Sequence, residues 1–554
     1  MIEFDPYPYE QQLLPLLRAI IAEPELSNQT LLQIVKQYPQ PDGGVFSKDK
    51  LIQAYRAFVR DGVLEPPDVD LVEKIRLKPT RTLSGVTPVT VLTKPYPCPG
   101  QCIFCPTDAS MPKSYLRDEP GAQRAEANRF DPYRQTFARL AAYRNIGHPT
   151  DKVEMIVLGG TWSAYPANYQ RWFVRRIFDA LNDFGASEAS EPSEAPTDAP
   201  ETRVEWPALF DAHRRNEDAR SRCVGLVVET RPDYVTEREV LRLRKLGCTK
   251  VQIGFQSLDD DVLVKNRRGH DVAAIRRAVR LLRQAGFKIQ AHWMANLYGS
   301  DPAKDVQDFE RLFADPDFRP DELKLYPCSL IDGTGLMDLY RQGLWRPYTH
   351  DELLGVLIEC VRRVPRYCRV TRMIRDIPAQ YIVDGNTKSN LREVVQDEAQ
   401  RRGIALAEIR SSEIRNQPVD PTTLQLSEIA YTTSVGEEVF LQFVTPEGRL
   451  AAFLRLCLPR QASFVAELGR DALIREVHVY GQAVNIGEDG RDGDRAQHSG
   501  LGARLIARAR AIAAVKGYAR LHVISAVGTR AYYRKLGFRD GELYQSIAAS
   551  SENA

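Results

Sequence analysis

The strongest constraint on the fold is an alternation. Six runs rich in β-branched residues recur along the chain: "GVTPVTVLTK" (Gly85–Lys94), "VEMIVLGG" (Val153–Gly160), "CVGLVVET" (Cys223–Thr230), "KVQIGFQS" (Lys250–Ser257), "FKIQAHWMA" (Phe287–Ala295) and "ELKLYP" (Glu322–Pro327). Between them lie stretches of helical period such as "REVLRLRKLG" and "VAAIRRAVRLLRQAG". Strands joined through helical crossovers pair in parallel, so a partial or full (β/α) barrel is predicted over 76–385. Chemistry on such a barrel sits at the C-terminal ends of the strands.

At 554 residues the chain exceeds what one core supports, so further domains are expected. Residues 1–75 read as a small helical region, with "QQLLPLLRAIIAEPEL" amphipathic. "ASEASEPSEAPTDAPE" (Ala186–Glu201) has nothing to bury and predicts a disordered acidic insertion over 186–202. A linker is expected over 386–420, then a second domain over 421–554. No apolar run reaches the roughly 20 residues that span a bilayer, and "MIEFDPYPYE" lacks the basic and apolar regions of a signal peptide, so no membrane role and a cytoplasmic location are expected. Nine cysteines in a reducing compartment point to metal, catalysis or core packing rather than disulfides.

Three of those cysteines crowd one stretch. "YPCPGQCIFCP" spaces Cys98, Cys102 and Cys105 as C-x3-C-x2-C directly after the first predicted strand. Four thiolates close a structural zinc or an ordinary iron–sulfur site, whereas three leave one iron of a four-iron cluster open. The spacing resembles that of radical enzymes in which S-adenosylmethionine chelates the open iron. Zinc with a distant fourth ligand, or three core cysteines, are the alternatives. "GGT" (Gly159–Thr161), "ETRPD" (Glu229–Asp233) and "GFQS" (Gly254–Ser257) end later strands and offer glycine backbone and polar groups to such a ligand.

The C-terminal part changes character. Alternating strands around the turn "PEG" are followed by "LIREVHVYG" (Leu473–Gly481), "QHSGLGARLIARARAIAAVKG" (Gln497–Gly517), "LHVISAVG" (Leu521–Gly528) and "TRAYYRKLGF" (Thr529–Phe538). This order resembles the acetyl-CoA-dependent N-acetyltransferase (GNAT) superfamily, an α+β fold. In Q-x-x-G-x-G, Gly500 and Gly502 free backbone N–H groups at a helix N-terminus, a ready site for the pyrophosphate of coenzyme A. Tyr533 stands four residues before Gly537. There it is placed to hydrogen-bond a thioester sulfur or protonate a leaving thiolate, and Tyr532 is taken as the core member of the pair. The Asn common in the superfamily near the start of this last helix is replaced by Ala526 and Gly528.

A radical S-adenosylmethionine (SAM) barrel followed by a GNAT domain resembles the Elongator catalytic-subunit family in its single-chain archaeal and bacterial form. The carrying pieces are "CPGQCIFCP", "DKVEMIVLGGTW", "VVETRPDYV", "IGFQSLDDDVLVKNRRGH", "LKLYP", "REVHVYG", "QHSGLG" and "GTRAYYRKLGF". The resemblance implies formation of 5-carboxymethyluridine at the wobble uridine of tRNA. A 5'-deoxyadenosyl radical takes hydrogen from the methyl of acetyl-CoA, the carbon radical adds to C5, and the thioester is hydrolysed. It implies a [4Fe-4S] cluster on Cys98, Cys102 and Cys105, S-adenosyl-L-methionine as cofactor and acetyl-CoA as co-substrate. It places acetyl-CoA on Lys152, on Glu476, Val477, His478 and Val479, on Leu501, Gly502 and Ala503, and on Tyr533 as the catalytic group.

Net charge is only +2, so an RNA surface requires local clustering. Lys74–Arg81, Lys265–His270 and Arg362–Arg375 are basic runs of the kind that neutralise phosphates and favour a nucleic-acid partner, which the resemblance implies is the anticodon loop of tRNA. The helical N-terminal region is expected to grip tRNA or pack on the barrel. Cys328, Cys360 and Cys368 are a candidate zinc site or buried core residues. A homo-oligomer and helper subunits are both compatible with the sequence. The competing functional readings are a protein lysine acetyltransferase with a structural barrel, and a noncatalytic RNA-binding subunit.

Overall fold

A computed structural model describes residues 4–67, 71–77, 81–82, 84–186, 203–415, 419–480 and 500–550. The expected 186–202 insertion falls almost wholly outside them. Helices Glu10–Ala22, Asn28–Gln37, Lys48–Arg60 and Leu71–Ile75 enclose their own apolar cluster, with Leu13, Leu17, Ile20, Leu51 and Phe58 at its centre. This bundle leans on the barrel through Ile52 and Val72, which close over Gly147. Among the described residues no helix is long and apolar enough to cross a membrane.

The barrel strands are β1 (Thr87–Leu92), β2 (Lys152–Leu158), β3 (Arg222–Thr230), β4 (Lys250–Gln256), β5 (Lys288–Ala295) and β6 (Glu322–Pro327); beside them lie β7 (Leu330–Ile331), β8 (Arg369–Arg372) and β9 (Ile382–Asp384). β1-β2-β3-β4-β5-β6-β8 form one sheet of seven parallel strands, and β7 pairs with β9 in a separate ribbon. β1 and β8 are its two edges, so the barrel is partial.

β8 corrects the reading of the third basic run. The arginines of Arg362–Arg375 face their own protein. Arg362 and Arg363 pair with Glu359, Arg366 with Gln442 and Gly448 O, Arg369 with Glu413 and Tyr480, Arg372 with Asp376, and Arg375 with Glu119 and Ser114. These contacts stitch the last barrel strand into the fold, and Arg369 and Arg372 also line the lumen cavity described below. In the first run, Lys74 donates to Ile21 O and Glu23 O, and Arg76 to Gly147 O; residues 78–80 lie outside the described residues.

Residues 386–420 are likewise no loose linker. They hold helices Leu391–Arg401 and Ile409–Ser412, whose Leu391, Val395, Ala399 and Ile409 are fully buried or nearly so.

The second sheet comprises β10 (Gln425–Thr432), β11 (Gly436–Val444), β12 (Leu450–Pro459), β13 (Ala472–Val479), β14 (Arg520–Val523), β15 (Arg539–Asp540) and β16 (Gln545–Ala548). Its order is β10-β11-β12-β13-β14-β16-β15, antiparallel except for the parallel pair β13–β14. The helix Leu501–Val515 covers β11 to β14.

This domain seals the N-terminal mouth of the barrel, and glycines permit the close approach. A Cβ on Gly528 would stand 2.9 Å from Cys223 O at the start of β3, and one on Gly286, just before β5, would stand 2.5 Å from Leu473 of β13. The departure at Gly528 therefore has a structural cause, since a side chain there would hold the domains apart. One apolar core runs through both.

Candidate active site

The cysteine loop leaves the C-terminal end of β1. Gly100 N–H points to Cys98 Sγ at 3.4 Å, and Thr161 Oγ1 lies 3.6 Å from the same sulfur. Gly159 and Gly160 carry this turn at φ +128° and +77°, and a side chain on Gly159 would collide with Thr93. Arg268 Nη1 donates to Cys102 Sγ at 3.0 Å and its Nη2 to Gly254 O at 2.9 Å. Arg231 Nη2 donates to Arg268 O at 2.6 Å, while Arg231 Nη1 is buried without a partner against Gly100. Burial first, and Cys102 second, push the Cys105 thiol up.

Three thiols beside two guanidinium groups, one with an unsatisfied N–H, fit an anionic iron–sulfur group and a carboxylate ligand. Thiolates of such a cluster bind separate irons and stand wider apart than the ligands of one ion. Among the described residues no three His, Cys, Asp or Glu side chains gather around a single-ion site. Gln256 and Asn296, ending β4 and β5, hold left-handed φ values of +69° and +64° on this same rim.

At the opposite end, β13 carries one extra residue. Ile474 faces Leu456 and Glu476 faces Arg455, so Arg475 has no partner on β12. The bulge turns two consecutive side chains toward the barrel. Arg475 donates to Asp321 at 2.5 and 2.8 Å, and Glu476 accepts from Lys288 at 2.6 Å. β13 and β14 stay paired only over Ala472–Ile474 and Leu521–Val523. Beyond that the strands part.

A cavity of about 970 Å³ enters this split and continues up the barrel lumen. Lys152, Glu476, Val477, His478, Val479, Gly502, Ala503 and Tyr533 line it together with Glu154, Lys250, Gln252, Gln290 and Lys324. Leu501 does not, since its side chain is 1% exposed in the core. Gly500, with φ +69°, caps the helix whose first turn borders the cavity, whereas Gln497 lies outside the described residues.

Tyr532 is not the core member of the tyrosine pair that the sequence suggests. Tyr533 is 7% exposed and packs on Phe538, while Tyr532 is 42% exposed. Successive helical residues lie about 100° apart, so turning Tyr533 inward swings Tyr532 over Gly502, 2.7 Å from where a Cβ would stand. Burial, then Tyr532 and Glu476, hold the Tyr533 phenol well above its ordinary value.

The lumen is polar and laddered. Lys288 bridges Glu476 and Glu322, and Lys250 bridges Glu322 and Glu154 at 3.2 and 2.8 Å. Burial pushes Lys324 down to about 8, with Glu229 opposing. Burial likewise pushes His478 down to about 4, against the pull of Glu476. These inward positions escaped the sequence reading because a parallel strand buried on both faces shows no alternation to mark its lumen side.

Cys328, Cys360 and Cys368 occupy separate places. Cys328 packs with Ile103, Leu297 and Trp345, while Cys360 and Cys368 sit in the main core, and burial raises all three thiols. They are core residues.

Family profiles agree with this geometry. The radical SAM superfamily matches residues 96–301, and the radical SAM C-terminal domain matches 320–401. A tRNA uridine(34) acetyltransferase of Dehalococcoides mccartyi is 38% identical over 83% of this chain and 97% of its own length. The chain belongs to the tRNA uridine(34) acetyltransferase and Elongator complex protein 3 family. Among its members, the Homo sapiens Elongator complex protein 3 is 35% identical over 85% of each chain. The solved structure of the archaeal Methanocaldococcus infernus Elp3 with an N-terminal deletion superposes with a TM-score of 0.70 at 34% identity, covering 84% of this chain and 99% of that one.

Proposed function

We propose that this protein modifies the wobble uridine of tRNA, using acetyl-CoA and SAM to build 5-carboxymethyluridine. The relatives' names support the substrate class. The observation that carries the reading is the shared cavity: one space runs from the split between β13 and β14 into the barrel lumen, so both halves of the chain line it. A lysine acetyltransferase with a purely structural barrel would not need barrel residues such as Lys152 and Lys324 to line its cavity, which favours tRNA over that alternative.

Cys98, Cys102 and Cys105 are the residues that would hold a [4Fe-4S] cluster; with SAM bound it supplies reductive radical chemistry, the hard step that the protein only positions. Arg268 balances negative charge there, while Arg231 shares its charge with Asp233 and offers its unpartnered Nη1. At the other end, the N–H groups at Leu501, Gly502 and Ala503 offer an anion site for the coenzyme A pyrophosphate. Glu476–Val479, where β13 has left β14, line the cavity beside the pantetheine arm and the thioester, and Lys152 closes the barrel side. Tyr533 holds its proton at ordinary pH and donates it to the thiolate that leaves on hydrolysis.

Mass spectrometry of wobble nucleosides from cells with and without the gene tests the proposal. Carboxymethyluridine-derived nucleosides that vanish on deletion are expected. Unchanged nucleosides with altered lysine acetylation would favour the alternative.

A further inference from the structure

β8 carries one extra residue. Leu323 of β6 faces Val370 and Lys324 faces Arg372, so Thr371 has no partner on β6. Strict alternation would set Arg372 on the same outer face as Val370, which is fully buried. The bulge instead turns Arg372 toward the lumen, where it lines the shared cavity beside Thr371 and Lys324. Two cations thus stand side by side on neighbouring strands, about 4.8 Å apart in the sheet. Like charges so placed are destabilising unless an anion joins them.

Elsewhere the lumen supplies its own counter-charge. Lys250 and Lys288 each sit between two carboxylates, and Arg369 is taken up by Glu413 and Tyr480. Lys324 has a neutral partner instead, donating to Gln252 Oε1 at 2.5 Å, and among the described residues no carboxylate pairs with it. Burial first, then Lys324, hold His292 well below its ordinary value, so that ring is neutral. Glu229 attracts Lys324 through space and faces His292 Nδ1 at 3.8 Å. Arg372 gives its Nη2 to Asp376, whose side chain is 57% exposed, and a guanidinium with five N–H groups has donors left over.

The pair also has a telling position. Gly254, His292, Lys324 and Arg372 are successive register partners across β4, β5, β6 and β8, so they form one level of the lumen. Arg268 ties that level to the cysteine loop through Gly254 O and Cys102 Sγ. β8 is an edge of the sheet, and Pro88 and Thr90 of the opposite edge, β1, line the same cavity, which therefore reaches the seam of the partial barrel. Arg372, with 38% of its side chain exposed, stands at that seam.

Resting on the tRNA reading above, we propose that Lys324 and Arg372 form a seat for one backbone phosphate of the target nucleotide. A phosphodiester brings a single negative charge and two free oxygens, one for the ammonium and one for the guanidinium. A nucleotide holds its base close to its own phosphate, so a phosphate on the edge strand leaves the uracil inside the lumen, between the cysteine loop and the bulge of β13. The pyrophosphate of coenzyme A is a poorer match, since the helix end that suits it, at Leu501, belongs to the second domain.

The test uses the full chain after anaerobic cluster reconstitution, with synthetic anticodon stem-loops in which one phosphate is replaced by an uncharged methylphosphonate. Affinity is read by competition binding without acetyl-CoA over a salt series. In the wild type, a methylphosphonate at one of the two phosphates flanking the wobble uridine should weaken binding by roughly 10- to 100-fold. Lys324→Met and Arg372→Gln, each checked by thermal melting, should weaken the all-phosphate RNA and lower its salt slope by about one unit. In both variants that methylphosphonate should cost little more, because the contact is already lost.

Wild-type binding indifferent to both flanking methylphosphonates would overturn the proposal, and this arm needs no variant. Folded variants that keep the full methylphosphonate penalty would do the same. So would weaker acetyl-CoA binding in the variants with RNA binding unchanged, which assigns the cations to the coenzyme. Tighter wild-type binding of 5-carboxymethyluridine RNA that is lost in Lys324→Met, with both methylphosphonates silent, would overturn it in favour of the product carboxylate. Coupled loss of phosphate and lysine in a protein that forms no carboxymethyluridine would leave the phosphate seat standing and count against the reaction alone.

Discussion

Lys288 of barrel strand β5 meets Glu476 of the second-domain strand β13 at 2.6 Å, so one buried ion pair joins the two halves of the shared cavity. Neither side chain is more than 16% exposed, and each has a second partner, Glu322 for Lys288 and Arg455 for Glu476. Removing one member leaves buried charge uncompensated, which typically costs about 3–5 kcal/mol. Lys288→Met is expected to lose stability on that scale in a denaturant titration. A loss below about 1 kcal/mol would place the pair among weak surface contacts.

Close docking at Gly528 gives a steric prediction. An alanine Cβ would stand 2.9 and 3.0 Å from Cys223 O and N, both backbone atoms that cannot yield cheaply. Gly528→Ala should cost about 1–3 kcal/mol and split thermal unfolding into separate transitions for barrel and second domain. Gly355, inside the helix His350–Arg362, meets nothing within 4 Å, so Gly355→Ala should be stabilising by about 0.5–1 kcal/mol. A single unshifted melt for Gly528→Ala would contradict the docking geometry.

Stability should fall in mild acid. Burial holds His148 and His478 at about 4, below the usual 6.5. Between those values the unfolded chain binds protons that the folded chain refuses. The contribution is therefore complete above pH 6.5 and is lost as pH falls toward about 4, at about 1.4 kcal/mol per unit of pKa difference for each group. His148→Gln, which keeps a polar group near Thr82, should flatten the pH dependence of the urea midpoint in this window. An unchanged slope would count against a neutral buried His148.

The arginine run yields a prediction opposite to its sequence reading. Arg369 is tied to Glu413 and Tyr480 at 2.7 Å each. Arg369→Ala should destabilise the fold and leave the salt slope of tRNA binding unchanged, whereas a lost phosphate contact would reduce that slope by about one unit. Folded protein with a lowered slope would return Arg369 to the RNA surface.

The barrel was legible where strands are long and β-branched, and it failed where they are not. β8 is four residues with only Val370 buried, so it shows charge instead of a strand pattern. The cysteine loop after β1 and the helix that starts at Gly500 were readable as elements because their signals lie in local spacing. Gln252, Gln290, Lys288 and Glu322 were not, since their meaning arises only when strands far apart in sequence turn them into one lumen. The same holds for Tyr532 and Tyr533, which adjoin in sequence and separate only once the helix Arg530–Lys535 is seated against Phe538.

Release of free thiol from acetyl-CoA by the reconstituted enzyme, measured with tRNA, with a lysine peptide and with neither, tests most directly whether the two domains serve one reaction on RNA. tRNA alone should stimulate release, and Tyr533→Phe should reduce it by roughly 10²–10⁴ if the phenol is the general acid, with tRNA affinity and cluster content intact. Stimulation by the peptide and indifference to tRNA would contradict the account.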